Sequence, residues 1–372
     1  MAGPSERTHG PIADPDGFVP FDRFIDWALY DPQAGFYARP GPRIGPTGDF
    51  YTATHASPLY PRTLGRHIGR ILAGLAVDGR PLRMVEIGPG DGRLAEGMVS
   101  EIAAALPGTA RWSYHLVERS SARLAETMDR LARAAGTAAG PPIRALPSIG
   151  EGGPFRGVVL AQEVLDAIPP RRFRRDRSGW RELGVRRTPQ GRWEEADRPA
   201  MGIPPALGSA GHRIEEGSIA EVAMGAAGLV RAILDHLVEG RLIVIDFGMD
   251  AREIASAHPR GTLQAIAGHR WVDPDPNHEG RADWSTFVDL DLLRAEVRAA
   301  GGRILFDEPF REALVRWGLP EVAAEAEEAL ARDPAAGVRL RLGVKNLLFG
   351  FDRFRVFEIA PGDPSAPERP AA

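Results

Sequence analysis

The sequence contains no cysteine among its 372 residues, which excludes disulfide bonds, thiolate nucleophiles and cysteine metal sites. Neither sign of charge dominates, because 46 basic and 50 acidic residues give a formal net charge of -4. This balance disfavours nucleic acid as a partner. No apolar run approaches the roughly 18 residues of a membrane span, and residues 1–17 lack the apolar stretch of a signal peptide. We therefore expect a cytoplasmic protein without membrane insertion.

The length and the 43% of hydrophobic residues are sufficient for a large core with added segments. Changes in composition and periodicity along the chain predict six regions. They are a disordered tail (1–17), an N-terminal helical substrate or lid region (18–80), a cofactor-binding core (81–170), a β-hairpin and helical insertion (171–240), the remainder of the core with a helical substrate region (241–360) and a second disordered tail (361–372).

Short apolar runs alternate with helical patterns from Leu82 onward, which predicts a series of parallel strands covered by helices. The strands are expected at 84–87, 115–118, 157–161, 242–246 and 354–359, and 289–348 is expected to be mostly helical. The fold class is therefore α/β, a Rossmann-like, doubly wound and mostly parallel sheet. N-terminal helices, a β insertion and a helical C-terminal region are added to it.

A glycine-rich turn follows the first of these strands and precedes a helix, which is the position of a nucleotide-binding loop in such a sheet. Its glycines, Gly88, Gly90 and Gly92, allow a sharp turn and close approach of a ligand to the backbone. Arg93 stands where a dinucleotide motif has its third glycine, so NAD is disfavoured. Glu86 would repel a phosphate but suits the ammonium and sulfonium of S-adenosylmethionine (SAM).

Carboxylates follow two further strands. Glu118 ends the second strand, where it can accept hydrogen bonds from both ribose hydroxyls. The segment 162–169 follows the strand expected at 157–161 and therefore borders the same crevice. We assign Gln162 to the cofactor, and Glu163 and Asp166 to the acceptor. Paired carboxylates would bind a guanidinium through bidentate hydrogen bonds. The alternative is a helix cap or a solvated acidic cluster.

Taken in order, these motifs resemble the MidA family of methyltransferases, and the resemblance covers most of the chain. It implies a class I methyltransferase domain, SAM as methyl donor with S-adenosylhomocysteine as product, and, for the mitochondrial member of the family, a protein arginine as acceptor. The segments that carry it are 48–52, 85–94, 115–118, 161–169, 179–182, 246–248, 261–263, 268–270 and 350–354.

Two positions depart from the family pattern on the acceptor side. His55 stands where a glutamate is expected, and Phe287 stands where a histidine is usual. The donor site is therefore expected to be retained, and the choice of acceptor is left open.

Four lesser candidates lie elsewhere. Asp49 is assigned to catalysis if its loop covers the pocket, although aspartate after glycine is also common in turns. His269 is a candidate base near neutral pH or a structural histidine. Histidine spacings match no zinc pattern, so we predict no metal. The basic strand 171–175 is interpreted as a solvated face, with contact to RNA or an acidic protein as the alternative.

The sequence thus predicts a SAM-dependent methyltransferase that acts on nitrogen, with protein arginine as the first acceptor class. The alternatives are a small-molecule methyltransferase with an altered acceptor pocket, a non-catalytic assembly protein that keeps the fold, and a dinucleotide oxidoreductase. The oligomeric state is left open, a homo-oligomer included.

Overall fold

A computed structural model describes residues 10–38, 52–135, 140–205, 207, 214–268, 270–330 and 333–362. The chain divides into two compact units, each assembled from separate segments. The first unit comprises Met1–Gly41, Ala167–Gly225 and Asp250–Phe287. The second comprises Pro42–Asp166, Ala226–Met249 and Val288–Ala372.

The strands of the described residues fall into three sheets. In chain order they are β1 (Val19–Pro20), β2 (Leu82–Ile87), β3 (Trp112–Val117), β4 (Ile143–Leu146), β5 (Phe155–Gln162), β6 (Arg171–Asp176), β7 (Gly179–Arg187), β8 (Trp193–Pro199), β9 (Ile219–Val222), β10 (Leu237–Met249), β11 (Gln264–Ala267), β12 (Arg270–Val272), β13 (Asp283–Ser285), β14 (Val288–Asp289), β15 (Arg303–Pro309) and β16 (Phe354–Ala360).

The α-helices of the described residues are α1 (Phe21–Tyr30), α2 (Ala53–Ala56), α3 (Leu59–Leu75), α4 (Arg93–Ala105), α5 (Ser121–Ala135), α6 (Met224–His236), α7 (Ala251–Ala257), α8 (Leu290–Ala299), α9 (Phe310–Arg316), α10 (Leu319–Ala329) and α11 (Pro334–Phe349). None of them combines the length and the apolar composition that a bilayer span requires.

The second unit is built on one large sheet with the order β15-β16-β10-β5-β2-β3-β4, to which β14 adds at β10. Neighbours from β4 to β10 are parallel, whereas β16 is antiparallel to both β10 and β15. Strand β5 is almost entirely buried because helices cover both faces of a parallel sheet. The predicted α/β class is confirmed.

One hydrophobic core unites this sheet with its helices. Leu64, Ile68 and Leu72 project from one side of α3 at helical spacing, and all three are fully buried beside Met98 and Ile102 of α4. The helical spacing of these apolar residues therefore gives α3 one buried face.

The first unit contains an antiparallel sheet, β1-β7-β6-β9 with β8 paired to β7, and a smaller sheet, β12-β11-β13. The predicted hairpin is present, since β7 pairs with β8 and Thr188 N–H donates to the carbonyl of Arg192. Helix α1 buries Phe21, Phe24 and Ile25, as its spacing predicted.

The range 289–348 is mostly helical, as expected. It also contains β15, which is only half buried and is specified by pairing with the distant β16, so local periodicity did not reveal it. The region 18–80 is also divided, because α1 belongs to the first unit and α3 to the second. Likewise 250–287, expected within the core, lies in the first unit.

Candidate active site

The candidate site lies in the second unit, at the carboxyl ends of β2, β3 and β5. Strands β3 and β5 are the parallel neighbours of β2 on its two sides, so the order of the sheet reverses at β2 and β5. In open α/β sheets a ligand binds in the crevice at such a reversal. The motifs found in the sequence follow these three strands directly.

The glycine-rich turn connects β2 to α4 in a conformation that other residues rarely adopt. Gly88, Gly90 and Gly92 have φ angles of +64°, +57° and +78°. A Cβ atom at Gly92 would lie 2.8 Å from the methyl group of Thr127. Thr127 also donates its hydroxyl hydrogen to the carbonyl of Gly90 at 2.9 Å, so α5 supports the turn.

His55 lies beside this turn, on α2. Its Nε2 is 3.5 Å from Oδ2 of Asp91, and its Nδ1 is 3.0 Å from the hydroxyl of Thr52. Burial would raise the pKa of Asp91, but hydrogen bonds from His55 and the N–H of Arg93 lower it. The departure from the family pattern at position 55 therefore contacts the glycine-rich turn.

Glu86 is a buried carboxylate of this edge, with 3% of its surface exposed. The hydroxyl of Tyr114 donates to its Oε2 at 2.7 Å. Burial raises the pKa of Glu86 to about 7, against the lowering effect of this hydrogen bond. Such a group gains most from a ligand that brings a positive charge.

Glu118 follows β3 and is partly buried. Its Oε1 accepts a hydrogen bond from the backbone N–H of Ser120 at 2.7 Å, which fixes the carboxylate in its own loop. Burial raises the pKa of Glu118, although Ser120 and Arg123 act in the opposite direction.

The segment after β5 brings Gln162, Glu163 and Asp166 together. Glu163 is the one non-glycine residue of the described chain with a positive φ, +53°. Its Oε1 accepts a hydrogen bond from Nε2 of Gln162 at 3.2 Å, and Gln162 in turn accepts from the hydroxyl of Tyr60. Asp166 is 9% exposed.

Sequence reasoning missed three residues that support this edge: Tyr60, Tyr114 and Asp246. Tyr60 is fully buried, and burial together with the charges of Glu163 and Glu86 raises its pKa. A polar side chain at the end of an apolar strand, as Asp246 is after 242–245, was the available signal. The two tyrosines gave no such signal in the sequence, since each occupies a position typical of the hydrophobic core.

Two predicted catalytic residues, Asp49 and His269, lie outside the described residues. Phe287 belongs to the first unit, where its ring contacts the ring of His258 with centroids 5.1 Å apart. Within the described ranges, no group of three or more His, Cys, Asp or Glu side chains is arranged to hold a metal ion.

The basic strand β6 makes its contacts inside the first unit. Arg171 donates to Glu182 at 2.9 Å, Arg172 donates to Glu221 at 2.9 Å, and Arg174 pairs with Asp197. Arg175 lies over the ring of Trp180. The strand is therefore partly buried and paired within its unit, which differs from the solvated face expected from the sequence.

Comparison with known proteins agrees with this geometry. The model of a family described as "Putative S-adenosyl-L-methionine-dependent methyltransferase" matches residues 63–306. The chain belongs to this family. The class I methyltransferase fold, the activity and the SAM cofactor predicted from the sequence are thereby confirmed.

Similar proteins include the mitochondrial protein arginine methyltransferase NDUFAF7 of Danio rerio, 27% identical over 78% of this chain and 70% of the relative. The NDUFAF7 of Mus musculus is 26% identical over 93% and 81%. A structure from Burkholderia thailandensis with bound S-adenosyl-homocysteine is 28% identical, covers 96% of each chain and has a TM-score of 0.81.

The residues of this methyltransferase fit SAM. The left-handed glycines form a sharp turn that leaves the backbone without Cβ atoms, and the buried carboxylate of Glu86 complements an ammonium group. Glu118, after the adjacent strand, suits the ribose hydroxyls. These assignments of individual residues stay predictions.

Proposed function

We propose that this methyltransferase transfers the methyl group of SAM to a guanidinium nitrogen of an arginine in a protein. One observation carries the proposal: Glu163 is held in a left-handed conformation at the carboxyl end of β5, on the edge that carries the glycine-rich turn. Backbone strain of this kind is retained where function needs it. The naming of the NDUFAF7 relatives as protein arginine methyltransferases adds support.

The chemistry of the carboxylates suits this acceptor. A guanidinium presents a planar fork of donors, which carboxylates bind through two parallel hydrogen bonds. Glu163 and Asp166 lie three residues apart on one loop, and both are held in place by neighbouring groups. They would orient the guanidinium so that one nitrogen faces the donor.

Methyl transfer depends mainly on position and on the exclusion of water. SAM supplies an electrophilic methyl carbon, and S-adenosylhomocysteine leaves with the electron pair of the broken S–C bond. The attacking nitrogen loses a proton as its bond to carbon forms. In this proposal the carboxylate of Glu163, which would bind the same guanidinium, accepts that proton.

The test is transfer from methyl-labelled SAM into arginine-containing proteins and peptides, followed by mass spectrometry for methylarginine. We expect methylarginine with the wild-type protein and a loss of about 100-fold or more in kcat for Glu163→Gln. Glu328→Gln, at an exposed position of α10, is the matched control and should retain activity.

Other results would point to the alternatives. Label confined to metabolites of low molecular weight would favour a small-molecule methyltransferase. SAM binding without transfer to any fraction would favour a non-catalytic protein that retains the donor site.

A further inference from the structure

Asp246 lies near the end of β10, next to the strand that carries the acceptor residues. Strands β10 and β5 are paired in parallel up to Ile245 and Gln162. The N–H of Glu163 extends this ladder by donating to the carbonyl of Ile245 at 2.9 Å. After Glu163 the chain leaves β5. The backbone N–H groups of the next residues then donate to the side chain of Asp246, and no longer to the backbone of β10.

Three consecutive backbone N–H groups converge on one oxygen of Asp246. Val164, Leu165 and Asp166 donate to Oδ2 at 3.2, 2.8 and 3.4 Å, and Phe247 donates to Oδ1 at 2.9 Å. The carboxylate is 3% exposed. Burial raises its pKa to about 7, while the surrounding N–H donors act in the opposite direction.

This arrangement fixes the direction in which Glu163 points. A non-glycine residue at positive φ is disfavoured and persists only where its surroundings impose it. On its N-terminal side, Glu163 is held by the hydrogen bond from its own N–H to the carbonyl of Ile245. On its C-terminal side, it is held by the three following N–H groups, which donate to Asp246. The backbone of Glu163 therefore depends on the carboxylate of Asp246.

The side chain of Glu163 is supported separately. Nε2 of Gln162 donates to its Oε1, and the hydroxyl of Tyr60 donates to Gln162. This second support orients the carboxylate but leaves the backbone unconstrained. Removal of Asp246 would thus displace Glu163 without removing any group that we assign to a substrate.

We propose that Asp246 is a positioning residue for methyl transfer, which acts through the loop 163–166 to hold Glu163 in the geometry that binds the acceptor. This inference rests on the proposed function, because it requires that Glu163 binds the acceptor. Because Asp246 is 3% exposed and its oxygens accept from four backbone N–H groups, we assign it no contact with donor or acceptor. Its effect should appear in the acceptor step and leave donor binding unchanged.

The first measurement is amide hydrogen exchange over 160–168, which needs no acceptor. We expect Asp246→Asn to exchange about tenfold faster than wild type at 164–166, because a neutral amide accepts these bonds more weakly than a carboxylate. Glu328→Gln, at an exposed position of α10, is the control and should leave this segment unchanged.

The second measurement is a double-mutant cycle on kcat with an arginine acceptor. Asp246→Asn should reduce kcat about 10- to 100-fold and keep the Kd for SAM within about twofold. In the Glu163→Gln background the same substitution should cost less than about threefold, because its effect passes through Glu163. If Asp246→Asn does not fold, Asp246→Ser, whose hydroxyl keeps one acceptor, replaces it in both measurements.

Two results would overturn the proposal: unchanged exchange at 164–166, or additive losses in the cycle. A wild-type protein that methylates no arginine would overturn the proposed function instead, and the exchange measurement would still decide whether Asp246 holds the loop.

Discussion

Two buried glutamates of the same sheet have opposite electrostatic surroundings. Glu358 of β16 and Glu86 of β2 are 2% and 3% exposed. Burial alone would raise the pKa of Glu358, but hydrogen bonds from His67 at 2.9 Å, Trp317 at 3.0 Å and Arg316 at 2.7 Å lower it to about 2. Among the described residues, the hydrogen bond to Glu86 comes from the neutral hydroxyl of Tyr114, and burial raises the pKa of Glu86 to about 7.

The difference separates a structural carboxylate from a binding carboxylate. A charge that is already paired with an arginine stabilises the fold and attracts nothing further. A buried carboxylate held by neutral donors carries a desolvation cost that a cationic ligand can relieve. By this criterion Glu86 is the candidate binding carboxylate, whereas Glu358 belongs to the scaffold.

The largest effects are expected when each glutamate is replaced by glutamine, because the two variants should differ in SAM affinity and in stability. Glu86→Gln should weaken SAM binding about 10- to 100-fold, because a charge-assisted contact worth about 1.5–3 kcal/mol is lost. Without donor at about pH 8 its melting temperature should not fall, since the ionised, buried Glu86 itself destabilises the folded state.

Glu358→Gln should do the reverse: donor affinity stays unchanged, and the free energy of unfolding falls by about 3 kcal/mol, because a buried ion pair loses one partner. Calorimetry and thermal unfolding of both variants measure these effects. Equal effects of the two substitutions on SAM affinity would contradict the distinction.

The next effect is the pH dependence of donor binding. The raised pKa of Glu86 means that the free site binds a proton below about pH 7, whereas the cationic donor favours the ionised carboxylate. SAM affinity should therefore be full near about pH 7.5 and fall about tenfold by about pH 6. Above that range the α-amino group of SAM begins to lose its own proton.

Calorimetry in buffers of different ionisation enthalpy should detect proton release at about pH 6. The Glu86→Gln variant controls for other titrating groups and should lack this pH dependence. A wild-type affinity that is flat between these pH values would mean that Glu86 does not titrate with donor binding.

The smallest effect concerns the strained residue of the acceptor loop. At φ +53° a Cβ atom costs about 1–2 kcal/mol, so Glu163→Gly should be more stable to urea than Glu163→Ala by about 1 kcal/mol. At Arg339, an exposed position inside α11, the order should reverse by about the same amount. Equal stabilities of the two Glu163 variants would show that the residue is not strained in solution.

Much of the donor site could be predicted from the sequence. The alternation of apolar runs and amphipathic stretches places β2, α4, β3 and α5, and the glycine-rich turn requires a conformation that only glycine adopts easily. These features are local, so a window of a few residues contains their cause. The division into two units is not local, which explains why the predicted boundaries at 18–80 and 241–360 differ from those observed.

By itself, then, the sequence determined the class of fold and the positions of Glu86, Glu118 and Glu163 at the ends of strands. Only the tertiary structure decided which carboxylates are paired. Tyr60 is 102 residues from Gln162, and Asp246 is 82 residues from Val164. The pKa of a buried group is set by neighbours within a few ångströms, and the fold draws those neighbours from distant parts of the chain.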